Sequence, residues 1–171
     1  MEPMVGGQAW VYRPQQPLSP HGTKHLALGS FKPEASYLLF TAHNTDMRQQ
    51  TEETVRYLVP KAQLPRAPKS VRYTLLNRQT DPYTTIKADL QKAGCLNPDY
   101  AAEPLKISRL RDMAAEKSGE AFIAAHWDQY VALRQANLTL QPCPWTVQAK
   151  GEFYEITVKL APPTVALVVI K

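Results

Sequence analysis

Two apolar periods divide this chain. In "EFYEITVKL", Tyr154, Ile156, Val158 and Leu160 alternate with Phe153, Glu155, Thr157 and Lys159. A period of two predicts a half-buried β-strand. The same period marks Val55, Tyr57 and Val59 in "TEETVRYLVP", and Val71, Tyr73 and Leu75 in "SVRYTLLN". The apolar run of "SYLLFTAHNTD" predicts a buried strand that ends in a turn at Asn44-Thr45-Asp46. The last segment, Val165 to Ile170, is apolar on both faces, so a layer must cover each of them. One layer is the opposite sheet. The other is either a helical layer of this chain or a separate domain.

Between these strands the period changes to three and four. "TTIKADLQKAG" predicts a short helix closed by Gly94. "PLKISRLRDMAAEK" sets Ile107, Leu110, Met113 and Ala114 at helical spacing behind Pro104. "SGEAFIAAHWDQYVALRQAN" predicts the strongest helix, capped by Ser118, ended by Asn137 and carrying Phe122, Ile123, Trp127, Tyr130 and Val131 on one face. Trp127 and Tyr130 are expected to pack that helix onto the sheet. The strand period then returns in "LTLQP", "WTVQA", "EFYEITVKL" and "TVALVVI".

Residues 1–35 are rich in Pro and Gly and read as an extended N-terminal segment, with short strands at Gln8–Arg13 and near His25–Phe31. "KAQLPRAPK", with Pro65 and Pro68, reads as a hairpin-type connection. The expected fold is mainly β: an antiparallel β-sandwich over residues 36–171 with an α-helical insertion at about 86–136. Strands and helices do not alternate, which argues against a parallel α/β sheet.

Composition narrows this little. With 171 residues the chain is long enough for one sizeable core, and fifteen prolines favour a loop-rich β architecture over a helix bundle. No apolar run reaches the roughly eighteen residues of a membrane span, so no membrane partner is expected. "MEPMVGGQAW" lacks the charged and apolar regions of a signal peptide, and the residues assign no compartment. The net charge of +5 is spread among acidic residues, so no nucleic-acid partner is expected either. Cys95 and Cys143 have no metal-site spacing and read as two separate thiols.

Candidate chemistry is sparse. There is no G-x-S-x-G, P-loop, G-x-G-x-x-G or H-E-x-x-H pattern, and no cofactor is implied. His21 and His25 read as solvated loop residues, with Glu34 the only carboxylate nearby in sequence. His43 reads as a strand-end residue and His126 as a core-edge residue. The aspartates and glutamates are spread over turns and helix faces, and no pair stands out as the two carboxylates of a glycosidase. Trp10, Trp127 and Trp145 are the candidates for sugar stacking. Trp127 fits helix packing better, and Trp145, starting a strand after "QPCP", also fits the closing of a sandwich end. This leaves Trp10 and Trp145 as candidate carbohydrate contacts and no catalytic residue. "NLT" at Asn137 matches a glycosylation acceptor and reads as coincidence.

Three stretches resemble the C-terminal β-sandwich of family 39 glycoside hydrolases, the β-xylosidase and α-L-iduronidase group. "SYLLFTAHNTD" is similar to a strand there that ends in an Asn/Asp-rich turn. "VRYTLLNRQTDPYTTI" is similar to a strand reading V-x-x-Y-R-I-D-x-x-x-S-N-x-Y, with Tyr73 and Tyr83 matched, Leu76 in place of Asp and Asp81 in place of Asn. "DQYVALRQANLTLQPCPWTVQAKGEFYEITVKLAPPTVALVVI" follows the closing helix, L-x-L strand, Pro-Trp turn and two final strands. The resemblance covers about residues 36–171, apart from a longer helical insertion.

The resemblance implies an accessory, non-catalytic domain in carbohydrate metabolism. Its partner would be a catalytic (β/α)8 barrel of the same or a partner chain, with polysaccharide as a further candidate ligand. In that family both catalytic glutamates lie in the barrel, so none is carried over to this chain. The alternative from a different class is a free-standing carbohydrate- or protein-binding sandwich module.

Overall fold

A computed structural model describes residues 8–15, 19–46, 48–64, 70–100, 114 and 116–171. The chain divides into two compact units, Met1–Asn77 with Leu140–Lys171, and Arg78–Thr139.

The first unit is an antiparallel β-sandwich. Its strands are β1 (Gln8–Tyr12), β2 (Lys24–Phe31), β3 (Ser36–His43), β4 (Glu53–Pro60), β5 (Val71–Asn77), β6 (Gln141–Pro142), β7 (Thr146–Lys150), β8 (Phe153–Leu160) and β9 (Thr164–Ile170). One sheet has six strands in the order β1-β2-β3-β9-β5-β6, and the other has three, β4-β8-β7. The period of two sets what faces inward. Leu38, Phe40 and Ala42 on β3 and Ala166, Val168 and Ile170 on β9 meet Val55, Tyr57 and Val59 on β4 and Ile156, Val158 and Leu160 on β8 in one buried cluster. Phe40 and Tyr57 join the sheets ring to ring, with centroids 5.1 Å apart.

Strands β1 and β2 belong to this sandwich. They pair in sequence order, Trp10 opposite Gly29 on β2 and Gly29 opposite Leu38 on β3. The two strands expected in the N-terminal segment are present and belong to the six-stranded sheet. "KAQLPRAPK" departs from expectation. The strands flanking it lie in different sheets, β4 paired to β8 and β5 to β9, so they form no hairpin. Its described part is a single 3-10 turn at Lys61–Gln63, and residues 65–69 lie outside the described residues.

The second unit holds three helices, α1 (Pro82–Lys92), α2 (Glu116–Ala125) and α3 (Trp127–Asn137). Helix α1 begins before its apolar period does. The Asp81 carboxylate accepts the Tyr83 N–H at 3.0 Å and Pro82 occupies the first turn, which together fix the start. Gly94, at φ +69°, closes it as expected, and the Cys95 N–H returns to the Leu90 carbonyl at 2.8 Å.

The single long helix expected over residues 118–137 is broken in two. The His126 ring nitrogen Nδ1 lies 2.8 Å from the Phe122 carbonyl, the acceptor that the His126 N–H also uses, and the imidazole stacks on the Phe122 ring. A side chain that shares a helical carbonyl competes with the backbone ladder. Trp127 therefore starts a new helix and is 49% exposed, where burial was expected. Tyr130 is buried in the unit's own cluster, with Ile86, Leu90, Tyr100, Ala114 and Ile123, and its hydroxyl donates to Asp89 at 3.0 Å. Burial, together with the bond and the charge of Asp89, pushes that hydroxyl up to about 12. Gly119 is required here, because a Cβ would come within 2.7 Å of the Ala114 Cβ. The helix expected over residues 104–117 falls mostly outside the described residues, with Ala114 seen in an isolated bridge to Leu96.

Candidate functional site

Two features of the sandwich unit stand out, a polar groove and an apolar sheet face.

An open groove of about 640 Å³ lies at one end, lined by Arg13, Ser19, His21, Lys24, His25 and Glu53 among others. Glu53 is its centre. The Ser19 hydroxyl donates to one carboxylate oxygen, and His25 Nε2 lies 2.8 Å from the other. The His25 and Glu53 side chains are only 5% and 11% exposed. Ser19 Oγ also accepts the backbone N–H of His21 at 3.1 Å and of Thr23 at 3.0 Å. Behind them Asn44, itself buried, donates to the His21 carbonyl and to the Thr23 hydroxyl. Burial raises the Glu53 pKa, but the bonds from Ser19 and His25 and the nearby charge of His25 and His21 outweigh it and hold the carboxyl below its usual range.

This arrangement does not suit nucleophilic catalysis. In a working triad the imidazole stands between hydroxyl and carboxylate and removes the hydroxyl proton. Here the carboxylate stands between them. The Ser19 hydroxyl donates its hydrogen bond to Glu53, and its lone pairs are taken by two backbone N–H groups. The group fastens a loop. Among the described residues no cluster of three His, Cys, Asp or Glu side chains is placed to hold a metal ion.

His25 was expected to be solvated. Its partner lies 28 residues away, on a strand of the other sheet, where local sequence gives no sign of it. The spacing S-P-H-G-T carried one usable signal: a serine whose hydroxyl can accept N–H groups two and four residues on. His43 ends β3 and is exposed, and His126 sits at the edge of the helical cluster, both as expected.

The two candidate tryptophans have different settings. Trp145 is half-buried, its ring edge-on to Phe40 at 5.9 Å and tilted against Tyr73 at 5.4 Å, so it closes the core. Trp10 is 43% exposed on edge strand β1. No ring contact joins them among the described residues. Cys95 and Cys143 are free thiols, and burial pushes the Cys143 thiol up, against a backbone hydrogen bond from Trp145 that lowers it.

The second feature is the outer face of the six-stranded sheet. Alternation turns Leu39 and Thr41 of β3, and Val165 and Leu167 of β9, away from the core. The register aligns them in two rows. One row runs Val11, Leu28, Leu39, Leu167 across β1, β2, β3 and β9, and the other runs Leu26, Thr41, Val165, Leu76 across β2, β3, β9 and β5. Val11 is 64% exposed, Leu76 43%, Val165 41% and Leu26 37%. The second face of β9 is thus covered at Val169, which is buried, and open at Val165.

A scan against protein-family models finds no match, and a search of curated proteins finds no relative. No helix among the described residues is long and apolar enough to cross a membrane.

Proposed function

We propose that this chain is a non-catalytic accessory β-sandwich of a family-39-like glycoside hydrolase, supporting a separate catalytic (β/α)8 barrel through the outer face of its six-stranded sheet. The observation that carries this reading is the pair of rows in which Val11, Leu28, Leu39 and Leu167, and Leu26, Val165 and Leu76 beside Thr41, share the outer face. A soluble surface rarely gathers apolar side chains in register over several strands, and such a patch marks an interaction site or an aggregation liability. The outside of a (β/α)8 barrel is a ring of helices, and a helical layer is a standard cover for an apolar sheet face. Each Val or Leu fully buried there contributes about 1.5–3 kcal/mol. The order and spacing of residues 36–171 support the choice of enzyme family.

The test is light scattering and hydrophobic-dye titration on the isolated chain. Self-association and dye uptake are expected, both relieved by a family-39 barrel domain and both reduced in a Leu76→Lys/Val165→Lys variant. A strictly monomeric chain that takes up no dye at high concentration overturns the reading in favour of a free-standing module.

A further inference from the structure

The groove has a role that does not depend on the docking face. We propose that Ser19, Glu53 and His25 form a proton-operated clasp that fastens the two sheets of the sandwich at one end and releases the 19–23 loop in acid.

The geometry is that of a clasp. His25 lies on β2 in the six-stranded sheet, and Glu53 opens β4 in the three-stranded sheet, so their 2.8 Å contact spans the two layers. Ser19 brings in the loop, because its hydroxyl donates to Glu53 and accepts the His21 and Thr23 N–H groups. One carboxylate therefore organises a strand from each sheet and the turn between β1 and β2. Among the described residues His25 Nδ1 has no partner, which makes Glu53 the only hydrogen-bond partner of that ring. The other charged groups on the groove wall are Arg13, His21, Lys24 and Glu52. Of these, His21 acts on Glu53 by charge and favours its ionised form.

The direction of the pH effect follows. Protonation turns one carboxyl oxygen into a hydroxyl, so the group no longer accepts at both oxygens, and it removes the charge that strengthens both bonds. The folded-state pKa of Glu53 lies below its ordinary value of 4.5. Its contribution is therefore complete above that ordinary value and is lost as the pH falls through the folded-state pKa. Release is an acid event and leaves neutral pH untouched.

Hydrogen exchange on the full chain tests this. Protection factors are measured at the His21 and Thr23 amides from pH 7 to pH 3 and corrected for intrinsic rates. Amides of the β3–β9 ladder serve as the reference. In the wild type the two loop amides are expected to lose about tenfold or more of their protection in acid, the scale of one hydrogen bond to a charged group, while the ladder holds. Glu53→Gln should remove the acid step, and Glu53→Ala should leave the loop unprotected at pH 7. If Glu53→Ala fails to fold, Glu53→Gln decides alone. The same acid step in Glu53→Gln as in the wild type overturns the proposal, as does full loop protection in a folded Glu53→Ala.

Discussion

The sandwich and the helical unit hold themselves together in different ways. The sandwich cluster draws buried residues from β2, β3, β4, β8 and β9, and the β3–β9 and β4–β8 pairings join segments distant in sequence. Among the described residues the helical unit's cluster is Ile86, Leu90, Tyr100, Ala114, Ile123 and Tyr130, fewer than half as many as in the sandwich cluster. Burial of apolar surface is the main favourable term in folding. The sandwich should therefore set the global stability of the chain, and the helices should form a locally weaker unit that opens first.

Truncation at the centre of each core tests that difference most sharply. Leu38 and Leu90 are both fully buried. Leu38→Ala should cost about 2–5 kcal/mol, read as a lower midpoint for every probe in chemical denaturation. Leu90→Ala should cost a similar amount locally, but far-UV helical signal should disappear while the β-ladder amides stay protected. A single coincident transition for both variants would show that the two units are one cooperative body.

A smaller effect of opposite sign is expected at Tyr57. Its hydroxyl is buried in the sandwich core with no hydrogen-bond partner among the described residues, and burial pushes its pKa up. An unsatisfied buried hydroxyl costs about 1–3 kcal/mol. Tyr57→Phe should therefore raise the denaturation midpoint, by the equivalent of about 1 kcal/mol. A drop in midpoint would mean that the hydroxyl has a partner in solution.

Trp127 should give the smallest change. It stands half-exposed at the first position of α3, so Trp127→Ala should stay within about 0.5 kcal/mol of the wild type. A larger loss in the same denaturation experiment would make Trp127 part of the helical core and narrow the contrast between the units.

The sequence was legible where one residue's fate follows from its near neighbours. The period of two in β4 and β8 named the inward residues correctly, because alternation is local geometry. Gly94 and Asn137 marked the ends of α1 and α3 for the same reason. Legibility failed where a distant partner decides. Strands β4 and β5 have a similar pattern, yet β8 claims one and β9 the other, so the expected hairpin does not form. His25 shows the same limit, since only the meeting of the sheets brings Glu53 to it. At His126 the local pattern itself misled. The apolar period continues through it, while its imidazole takes a carbonyl that the helix uses. In the outer rows, the doubly apolar pattern of β9 was visible, but the register that aligns Val165 with Leu76 was not.

The helical unit leaves the sheet after β5 and returns through β6, and these strands are hydrogen-bonded neighbours, with Arg72 opposite Pro142 and Tyr73 opposite Gln141. At the base of the excursion Asn137 donates its amide to the Thr80 carbonyl at 2.6 Å and ties the outgoing chain to the returning one. In topology the whole helical segment is the enlarged tip of an ordinary β-hairpin. A tip of that kind is a cassette: its two ends already sit side by side, so it can lengthen, shorten or be exchanged for a tight turn without changing the order or register of any strand. A tag or a second domain grafted at the same place would leave the strand pairings as they are.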